Sequence, residues 1–397
     1  MTTAPIRPHT AGLASGRSDP GTPPEVARVT TVITTWNKPE DAALVAGAVA
    51  RQEGCGAVVD LVIVDNASKP EHRARLLELV SPDAVVANRS SDPRKPDFAR
   101  TPDRNARNGR VASITVVLNQ ENMGGCGGFN TGMRYAAARH RPDYVWLLDD
   151  DIDLPNVALA RLLESAEDRP DAALFGSRTV DKRDRATTIE TTIFLRLSDG
   201  LMGPDPDDSD PRADAHRVWR RSDRMTGLRD VDVVSACSML ARWPAVERVG
   251  FWDDRFFLYC DDADWCVRTA RAGYGVVLNL DAVVYHTPWF EKLTPTRSYY
   301  AQRNQIWLIA NGVGSPRLLV ARRLLALLRD AVVSVRARDR DRSAMLLRAA
   351  EDAARGRGGK LVDLPSQERK ALLAAFVRAS LFGMLAIAAP SRLKGNV

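Results

Sequence analysis

Three consecutive aspartates, Asp149, Asp150 and Asp151, are the residues whose type and spacing point most directly to chemistry. They end the mostly apolar run 143–148, which reads as a short buried strand, so they lie where a strand leaves a sheet. Asp149 and Asp151 are two residues apart, and both can direct oxygen atoms towards one hard cation such as Mg²⁺ or Mn²⁺. An acidic N-cap for a helix beginning near Pro155 is the alternative. Three adjacent carboxylates repel one another unless a cation offsets the repulsion, which favours the metal site.

A second acidic group follows a block of aromatic residues. Asp261, Asp262 and Asp264 are predicted to open a helix directly after the apolar block 256–259. Acidic residues in a first helical turn are ordinary partners of the helix dipole. The aromatic block, however, suits a partly dry pocket in which the basicity of a carboxylate rises. Successive residues on a helix diverge by about 100°, so the three carboxylates cannot all face one pocket.

The carboxylates lie within a pattern that alternates strands and helices. Strands predicted over 27–35, 60–68, 111–118 and 143–148 are separated by predicted helices. Short connections between strand, helix and strand imply parallel pairs with right-handed crossovers, and hence an open, mostly parallel α/β sheet. Ligands of such sheets bind beyond the carboxyl ends of the strands.

Several polar features are predicted to meet at that edge of the sheet. Asp65 ends the second strand, and the glycine-rich stretch 122–132 follows the third. His286 ends a later strand, beyond the second acidic group, and this position sets it apart from an ordinary core or surface histidine. The glycine-rich stretch has neither the Gly-Lys-Ser/Thr of a P-loop nor the spacing of a dinucleotide fingerprint. Its alternative role is structural, as a tight turn where a helix packs closely on a strand.

Composition excludes several classes of protein. The chain has 397 residues, of which 45% are apolar, and its net charge of +6 is a mild bias rather than a nucleic-acid signature. The five cysteines show no CxxC spacing and no paired histidines, which argues against a zinc site and against a disulfide framework. Because the N-terminus also lacks an apolar signal segment, a reducing cytoplasm is expected.

The remaining stretches are less specific. Residues 1–27 are rich in small and polar types and are expected to form a disordered tail. Further strands are predicted over 172–178, 231–240 and 275–285, and 181–230 is expected to be a mobile surface insertion.

Region 291–397 changes character and is predicted to be helical. Residues 317–336 form an amphipathic pattern with a row of arginines, and a second helix is predicted over 367–388. The uncharged part of the second helix is too short to span a bilayer. Basic amphipathic helices can lie on an anionic membrane surface. They can equally pack on the rest of the protein or across a dimer interface, and both interpretations stay open.

Taken together, the stretches from residue 28 to about 310 resemble the inverting family 2 glycosyltransferases, which have the GT-A fold. The resemblance rests on the order and separation of six pieces: Thr34-Thr35, Val64-Asp65-Asn66-Ala67-Ser68, Asn122-Met123-Gly124-Gly125, Leu148-Asp149-Asp150-Asp151, Asp261-Asp262-Ala263-Asp264-Trp265 and His286. It implies an α/β GT-A catalytic domain over 28–290, preceded by the tail and followed by the C-terminal helical region.

Within that family, the chain is most similar to the actinobacterial galactofuranosyltransferases of cell-wall galactan synthesis. The matching features are Trp146-Leu147-Leu148 before the aspartates, the block 261–264 and His286-Thr287-Pro288-Trp289. Rhamnosyltransferases share much of this pattern and are the alternative. Polymerising members carry a large β-rich N-terminal domain, whereas this chain has a short tail. We therefore expect a shorter enzyme that adds early residues to a lipid-linked acceptor.

The resemblance also implies roles for individual residues. Asp149, Asp151 and His286 would hold Mn²⁺ or Mg²⁺ on the donor diphosphate, and Asp262 would be the general base. The residues implied to contact the sugar nucleotide are Thr34, Asp65, Asn122, Gly124, Gly125 and Asp150, with Asp65 on the base or ribose. The residues implied on the acceptor side are Asp261, Trp252, Trp265 and Trp289, although core packing is an alternative for the tryptophans.

The implied activity is metal-dependent, inverting transfer of galactofuranose from UDP-galactofuranose to a lipid-linked glycan. The implied location is cytoplasmic, peripheral on the inner face of the plasma membrane, with no nucleic-acid partner and with a homo-oligomer left open. A rhamnosyltransferase using dTDP-rhamnose is the alternative donor class. An inactive sugar-nucleotide-binding protein is an alternative from another class. A nucleotidyltransferase is disfavoured because 33–37 lacks the glycine-rich loop with Arg and Lys that usually opens such enzymes.

Overall fold

The computed structural model describes residues 26–92, 94–99, 111–191, 193–195, 201–203, 218–219, 221–312 and 316–361. The tail predicted over 1–27 lies almost wholly outside the described residues, and so does the helix predicted over 367–388. Within the described part, no helix is long and apolar enough to cross a membrane.

The first half of the chain alternates strands with helices, as its pattern predicts. Its elements are β1 (Arg28–Thr35), α1 (Pro39–Ala50), β2 (Val58–Asp65), α2 (Pro70–Val80), β3 (Ala84–Ala87), β4 (Val111–Leu118), α3 (Gly124–Arg139) and β5 (Tyr144–Asp149). Strands such as β2 are near-continuous apolar runs because both faces of the sheet are covered.

The second half returns to the sheet and then becomes helical. Its elements are α4 (Ala158–Asp168), β6 (Ala172–Asp181), β7 (Phe194–Leu195), β8 (Met202–Gly203), β9 (Leu228–Asp230), β10 (Ser238–Arg242), α5 (Trp243–Val249), α6 (Asp261–Arg271), β11 (Gly275–His286), α7 (Pro295–Gly312), α8 (Pro316–Arg336) and α9 (Arg340–Arg355).

Nine of the described strands form one sheet in the order β3-β4-β2-β1-β5-β10-β6-β11-β9. The neighbours from β3 to β5 are parallel, as are β6 and β11. Strand β10 runs antiparallel to both of its neighbours, and β9 is antiparallel to β11. The predicted fold class, a mostly parallel α/β sheet with C-terminal helices, is confirmed.

The predicted strand over 231–240 is wrong in its first part, because the strand in the sheet comprises only Ser238–Arg242. The preceding apolar residues are buried, but their backbone turns to other partners. The amides of Asp232 and Val233 donate to the carbonyl of Ile193, and that of Val231 donates to Val276. Burial alone therefore produced the apolar pattern, without a continuous strand.

The C-terminal helices pack directly on the rest of the protein. Trp307 on α7 is fully buried, and its ring lies 5.7 Å from that of Phe256. Residues of α7, α8 and α9 share one hydrophobic core with Trp265 on α6. The core is thus continuous across residue 290, where the sequence suggested a domain boundary.

Candidate active site

The first predicted site residues lie side by side at the carboxyl ends of three parallel strands. Thr34 on β1 lies directly beside Asp149 on β5, and Thr35 lies beside Asp65 on β2. Because residues in register on neighbouring parallel strands are about 4.8 Å apart, these side chains share one edge of the sheet.

The turn after β5 is tied to the end of β11. Asp153 and Tyr285 exchange two backbone hydrogen bonds of 2.8 and 3.0 Å. This bridge places Asp151 next to His286. Nε2 of His286 lies 2.9 Å from Oδ1 of Asp151 and 3.9 Å from Oδ2 of Asp149.

Asp149, Asp151 and His286 can therefore offer ligands to one ion. One ligand atom from each residue lies within 4.8 Å of the other two. Two carboxylates and one imidazole are donors that suit a divalent cation such as Mn²⁺ or Mg²⁺. The Asp149 side chain keeps 40% of its surface accessible, so a ligand can reach it. The residues present fit the predicted cation.

The three consecutive aspartates occupy different electrostatic environments. Limited solvation raises the pKa of Asp149, and burial raises that of Asp150 to about 6 although Lys38 opposes the shift. Burial also disfavours ionisation of Asp151, but hydrogen bonding and charge from His286 and Lys38 outweigh it and hold its pKa well below the usual range. Asp151 is thus the firmly ionised member of the group.

Two lysines that the sequence analysis did not single out surround Asp151. Lys292 places Nζ 2.7 Å from Oδ2 of Asp151 and 3.0 Å from Nε2 of His286. Lys38 places Nζ 2.8 Å from the same Asp151 oxygen and 3.3 Å from Oδ1 of Asp150. Lys38 lies three residues beyond the end of β1, immediately before α1, a position that could have been recognised. Lys292 carried no comparable signal.

Asp262 is partly buried and is the least buried member of the second acidic group. Its Oδ1 accepts from the amide of Ala263 at 2.8 Å, and its Oδ2 accepts from the amide of Ala236 at 3.3 Å. Asp264 is 1% exposed and pairs with Arg268 at 2.8 Å. Asp261 is 8% exposed. The three carboxylates thus diverge, as the helical spacing predicts.

Burial raises the pKa values of two of these carboxyl groups. The pKa of Asp262 rises to about 6, with backbone hydrogen bonds opposing the shift and the charge of Asp149 adding to it. The pKa of Asp261 rises to about 8, first through burial and then through the neighbouring charge of Asp262. A carboxylate whose pKa approaches neutrality is a stronger proton acceptor than an exposed aspartate.

Glu190 is a further carboxylate in this group that sequence reasoning missed. Burial raises its pKa to about 7, and it interacts electrostatically with Asp149, Asp262 and His286. Its segment is held on the sheet, since the amide of Ile189 donates to the carbonyl of Thr179 at 2.9 Å.

The expectation of a surface insertion over 181–230 is therefore wrong at 187–191. Four residues around Glu190 are 0–4% exposed: Thr187, Thr188, Ile189 and Thr191. The β-branched run Thr-Thr-Ile-Glu-Thr-Thr-Ile could have signalled an ordered, strand-like segment.

On the predicted donor side, buried amides join the strand ends to α3. Asn66 donates from Nδ2 to the carbonyl of Gly124 at 2.8 Å and to Oδ1 of Asn122 at 3.3 Å. Asn119 donates to Oδ1 of Asn66 at 3.1 Å. These bonds fix Asn122 and Gly124 at the edge, where the sequence placed them. Asn66 and Asn119 were not predicted to take part.

Asp65 is enclosed by its own partners. Its side chain is fully buried, and it accepts from Nε of Arg73 at 2.6 Å and from the amide of Ser68 at 3.0 Å. The structure thus places Asp65 at the predicted edge with its carboxylate already paired. Its contact with the nucleotide stays a prediction.

The glycine-rich stretch forms the start of α3 and packs closely on its neighbours. Gly124 has a φ of +74°, and a Cβ there would lie 2.0 Å from the carbonyl oxygen of Phe257. A Cβ on Gly128 would lie 2.2 Å from Cγ2 of Thr34. Close approach to the backbone of Phe257, in the loop before α6, thus accounts for Gly124, and close packing of α3 on β1 accounts for Gly128. Gly125 is less crowded, with Leu258 at 3.9 Å.

Two tryptophans predicted on the acceptor side belong to the core instead. Trp252 is 3% exposed and Trp265 is 1% exposed, with ring centroids 5.9 Å apart. The indole of Trp265 donates to the carbonyl of Gly250 at 2.9 Å. Because their faces are covered by protein, these rings do not present a surface for a sugar. Trp289 is half-buried beyond β11, and its acceptor role stays a prediction.

Comparisons with known proteins point to one family of enzymes. Residues 105–238 match the family model described as Glycosyl transferase family 2. This family 2 match covers Asn122, the glycine-rich stretch and the three consecutive aspartates. The chain is also 24% identical over 228 residues to galactofuranosyltransferase GlfT2 of Mycobacterium tuberculosis. That alignment covers 55% of this chain and 35% of the relative, so the chain spans about a third of its length.

Two solved structures show a more distant likeness. A mannosyltransferase, PcManGT, from Pyrobaculum calidifontis, in complex with GDP-Man and Mn²⁺, is 14% identical with a TM-score of 0.43, covering 93% of this chain and 86% of the other. TarS residues 1–349 from S. aureus are 10% identical with a TM-score of 0.48, covering 91% and 90%.

Proposed function

We propose that this protein is a metal-dependent, inverting glycosyltransferase that takes its sugar from a UDP-linked donor. The observation that carries the proposal is the convergence of Asp149, Asp151 and His286 on one ligand position. Asp262, whose carboxyl pKa is raised to about 6, interacts electrostatically with Asp149 in this group. The family 2 match over residues 105–238 supports the same reaction class.

The proposed mechanism divides the work between the two acidic groups. A divalent cation held by Asp149, Asp151 and His286 would stabilise the charge that develops on the leaving diphosphate. Asp262 would accept the proton of an acceptor hydroxyl as that oxygen bonds to the anomeric carbon of the donor. The bond between that carbon and the diphosphate oxygen breaks in the same displacement, so the configuration inverts.

Lys38 and Lys292 suit the binding of the donor diphosphate. Nζ of Lys38 lies 3.3 Å from Asp150 and 2.8 Å from Asp151, and Nζ of Lys292 lies 2.7 Å from Asp151, next to the proposed position of the cation. A lysine binds phosphate oxygens as a point charge. Together with the cation, they would offset the negative charge that the diphosphate brings to three carboxylates.

Galactofuranose is the proposed sugar, and a lipid-linked glycan is the proposed acceptor. The similarity to a galactofuranosyltransferase supports the donor, although it covers only 35% of that relative. Transfer of rhamnose from dTDP-rhamnose is the second candidate, favoured by the sequence resemblance alone.

A donor panel tests the proposal. Purified protein with Mn²⁺ should hydrolyse or transfer from UDP-galactofuranose, and UDP-galactopyranose and dTDP-rhamnose should be poorer donors. EDTA should abolish turnover, and added Mn²⁺ or Mg²⁺ should restore it. Turnover only with dTDP-rhamnose would replace the donor, and full activity in chelator would contradict the metal site. Tight nucleotide-sugar binding without any turnover would favour the inactive binding protein.

The α8 helix supports a peripheral position on an anionic membrane. Leu318, Leu325 and Val332 recur every seven residues and are 65%, 65% and 39% exposed. Exposed Arg322 and Arg329 lie on the same helix. Apolar side chains flanked by arginines are typical of helices that lie in a membrane interface. We propose that this face brings the site to its lipid-linked acceptor on the inner face of the plasma membrane.

A further inference from the structure

The segment that leads into the proposed base has an unusual backbone. Phe257, Tyr259 and Cys260 have φ values of 64°, 68° and 60°, in the left-handed region that bulky residues rarely occupy. Cys260 is the residue immediately before α6, which carries Asp262 in its first turn. A conformation of this kind persists only where surrounding structure determines it.

The surrounding structure is a pair of consecutive residues on α7. Asn304 donates from Nδ2 to the carbonyls of Phe256 at 2.8 Å, Leu258 at 2.8 Å and Tyr259 at 2.9 Å. Arg303 donates from Nη2 to the carbonyls of Arg255 at 3.0 Å and Phe256 at 2.9 Å. Its Nε also donates to Oδ1 of Asn304 at 2.9 Å, which joins the two side chains.

Both side chains are buried at this contact, and the charge of Arg303 is compensated locally. Arg303 is 1% exposed and Asn304 is 0% exposed. The guanidinium carbon of Arg303 lies 4.7 Å from the ring centroid of Trp307 and 5.2 Å from that of Tyr299. A buried charge is costly unless it is fully hydrogen-bonded, so the carbonyls of the segment are required partners rather than incidental ones.

The opposite side of the segment faces the predicted donor side. The carbonyl of Phe257 accepts from the amide of Cys126 at 3.3 Å, and Gly124 packs directly on it. The segment is therefore held between α3, which contributes Gly124 at the donor edge, and α7.

We infer that Arg303 and Asn304 are positioning residues that fix the segment 256–260 and, through it, the carboxylate of Asp262. None of the hydrogen bonds described for these two side chains goes to a proposed cation ligand. The helix α7 thus acts on the active site indirectly, because its side chains fix the segment from which α6 begins. This inference rests on the proposed role of Asp262.

The test uses Asn304→Asp, Asn304→Ala and Arg303→Lys in the full chain. Asn304→Asp keeps the shape and the acceptor for Nε of Arg303, but it replaces the Nδ2 group, whose two hydrogens are shared among three carbonyls, with an oxygen. Arg303→Lys keeps the charge but loses the planar guanidinium that donates to two carbonyls of the segment. Arg348→Lys is the matched control. Arg348 lies on α9 in the same helical region, pairs with Asp352 at 2.7 Å, and has none of its hydrogen bonds to 255–260.

Turnover and binding are measured separately. In the Asn304 variants and Arg303→Lys, kcat for transfer should fall roughly 10- to 100-fold, as expected for misplacement of a reacting group by about 1 Å. The affinity for UDP with Mn²⁺ and the KM for the donor should stay unchanged. Arg348→Lys should retain kcat. An unchanged kcat in folded Asn304→Asp, or a parallel loss of kcat and UDP affinity, would overturn the inference.

Hydrogen exchange gives a readout that does not depend on activity. Amides over 256–264 should exchange faster in Asn304→Ala than in the wild type, and those of β1 and β5 should not. Uniformly raised exchange, or no change over 256–264, would show that the pair does not fix the segment. If the wild type transfers no sugar but exchange rises only in this segment, the proposed function fails and the structural part of the inference stands.

Discussion

The ammonium nitrogen of Lys292 lies 2.7 Å from Oδ2 of Asp151, within the group of side chains that fits a divalent cation. It also lies 3.0 Å from Nε2 of His286, so one lysine contacts two of the three proposed ligands. A positive charge at this distance stabilises the ionised carboxylate and repels an incoming cation.

Substitution of Lys292 should therefore change metal and nucleotide binding in opposite directions. In Lys292→Met, Mn²⁺ alone should bind roughly tenfold more tightly, because the repelling charge is gone. UDP should bind the Mn²⁺-loaded variant more weakly, because a charge that suits the diphosphate is lost. Isothermal titration calorimetry measures both affinities, with Lys182→Met as a control for loss of a nearby lysine charge. Weaker Mn²⁺ binding by Lys292→Met would contradict this account.

The raised pKa of Asp262 predicts the pH dependence of transfer. A general base acts only when ionised, so the rate should fall as the pH drops through the pKa of about 6. The acid limb of the pH profile of kcat/KM should accordingly lie well above the value of about 4 that is typical of an exposed aspartate. Steady-state rates from pH 5 to 8 measure it. An acid limb near pH 4 would exclude a base in this environment.

Asp261 should make stability depend on pH. Its folded-state pKa is raised to about 8, so the folded protein holds the proton more tightly than the unfolded chain. The stability contributed by the protonated form is present below the unfolded pKa of about 4 and is lost as the pH rises towards 8. Asp261→Asn mimics the protonated carboxyl, so it should raise Tm more at pH 8 than at pH 5. Thermal melts at both values check this, and an equal shift at both would contradict it.

The exposed face of α8 should contribute to membrane binding. The double substitution Leu318→Ser and Leu325→Ser removes two side chains that are each 65% exposed, so the core is spared. Binding to phosphatidylserine vesicles in a sedimentation assay should fall roughly tenfold or more, because each leucine contributes free energy when its side chain is buried in the membrane interface. Leu44→Ser, at a side chain 69% exposed on α1, is the matched control and should bind as the wild type does. Equal binding by the double variant would exclude this face.

The sequence predicted the parts of the site that depend on local position. Asp149 and His286 end strands and Asp151 follows two residues after one. Parallel strands end at a common edge, so the convergence of these residues follows from topology. The divergence of Asp261, Asp262 and Asp264 follows from helical spacing. In each case a short stretch of chain carries the whole argument.

What the sequence did not predict depends on chain segments that return from far away. Glu190 interacts electrostatically with Asp149 and Asp262 from a segment with no strand-end motif, and Arg303 acts through carbonyls 47 and 48 residues earlier in the chain. Such contacts leave no local pattern. Trp252 and Trp265 were wrongly predicted to lie on the acceptor side. A tryptophan close to acidic residues in the sequence gives the same local pattern whether it packs in a core or lines a sugar site.

Transfer by Asp262→Asn tests the central claim most directly. The substitution keeps the shape of the side chain and removes the proton acceptor, so single-turnover transfer from UDP-galactofuranose should fall about two to four orders of magnitude. Binding of UDP and Mn²⁺ should barely change, because the proposed ligands are Asp149, Asp151 and His286. Near wild-type transfer by Asp262→Asn would contradict the account. A loss seen only in Asp261→Asn or Asp264→Asn would assign the base to another residue.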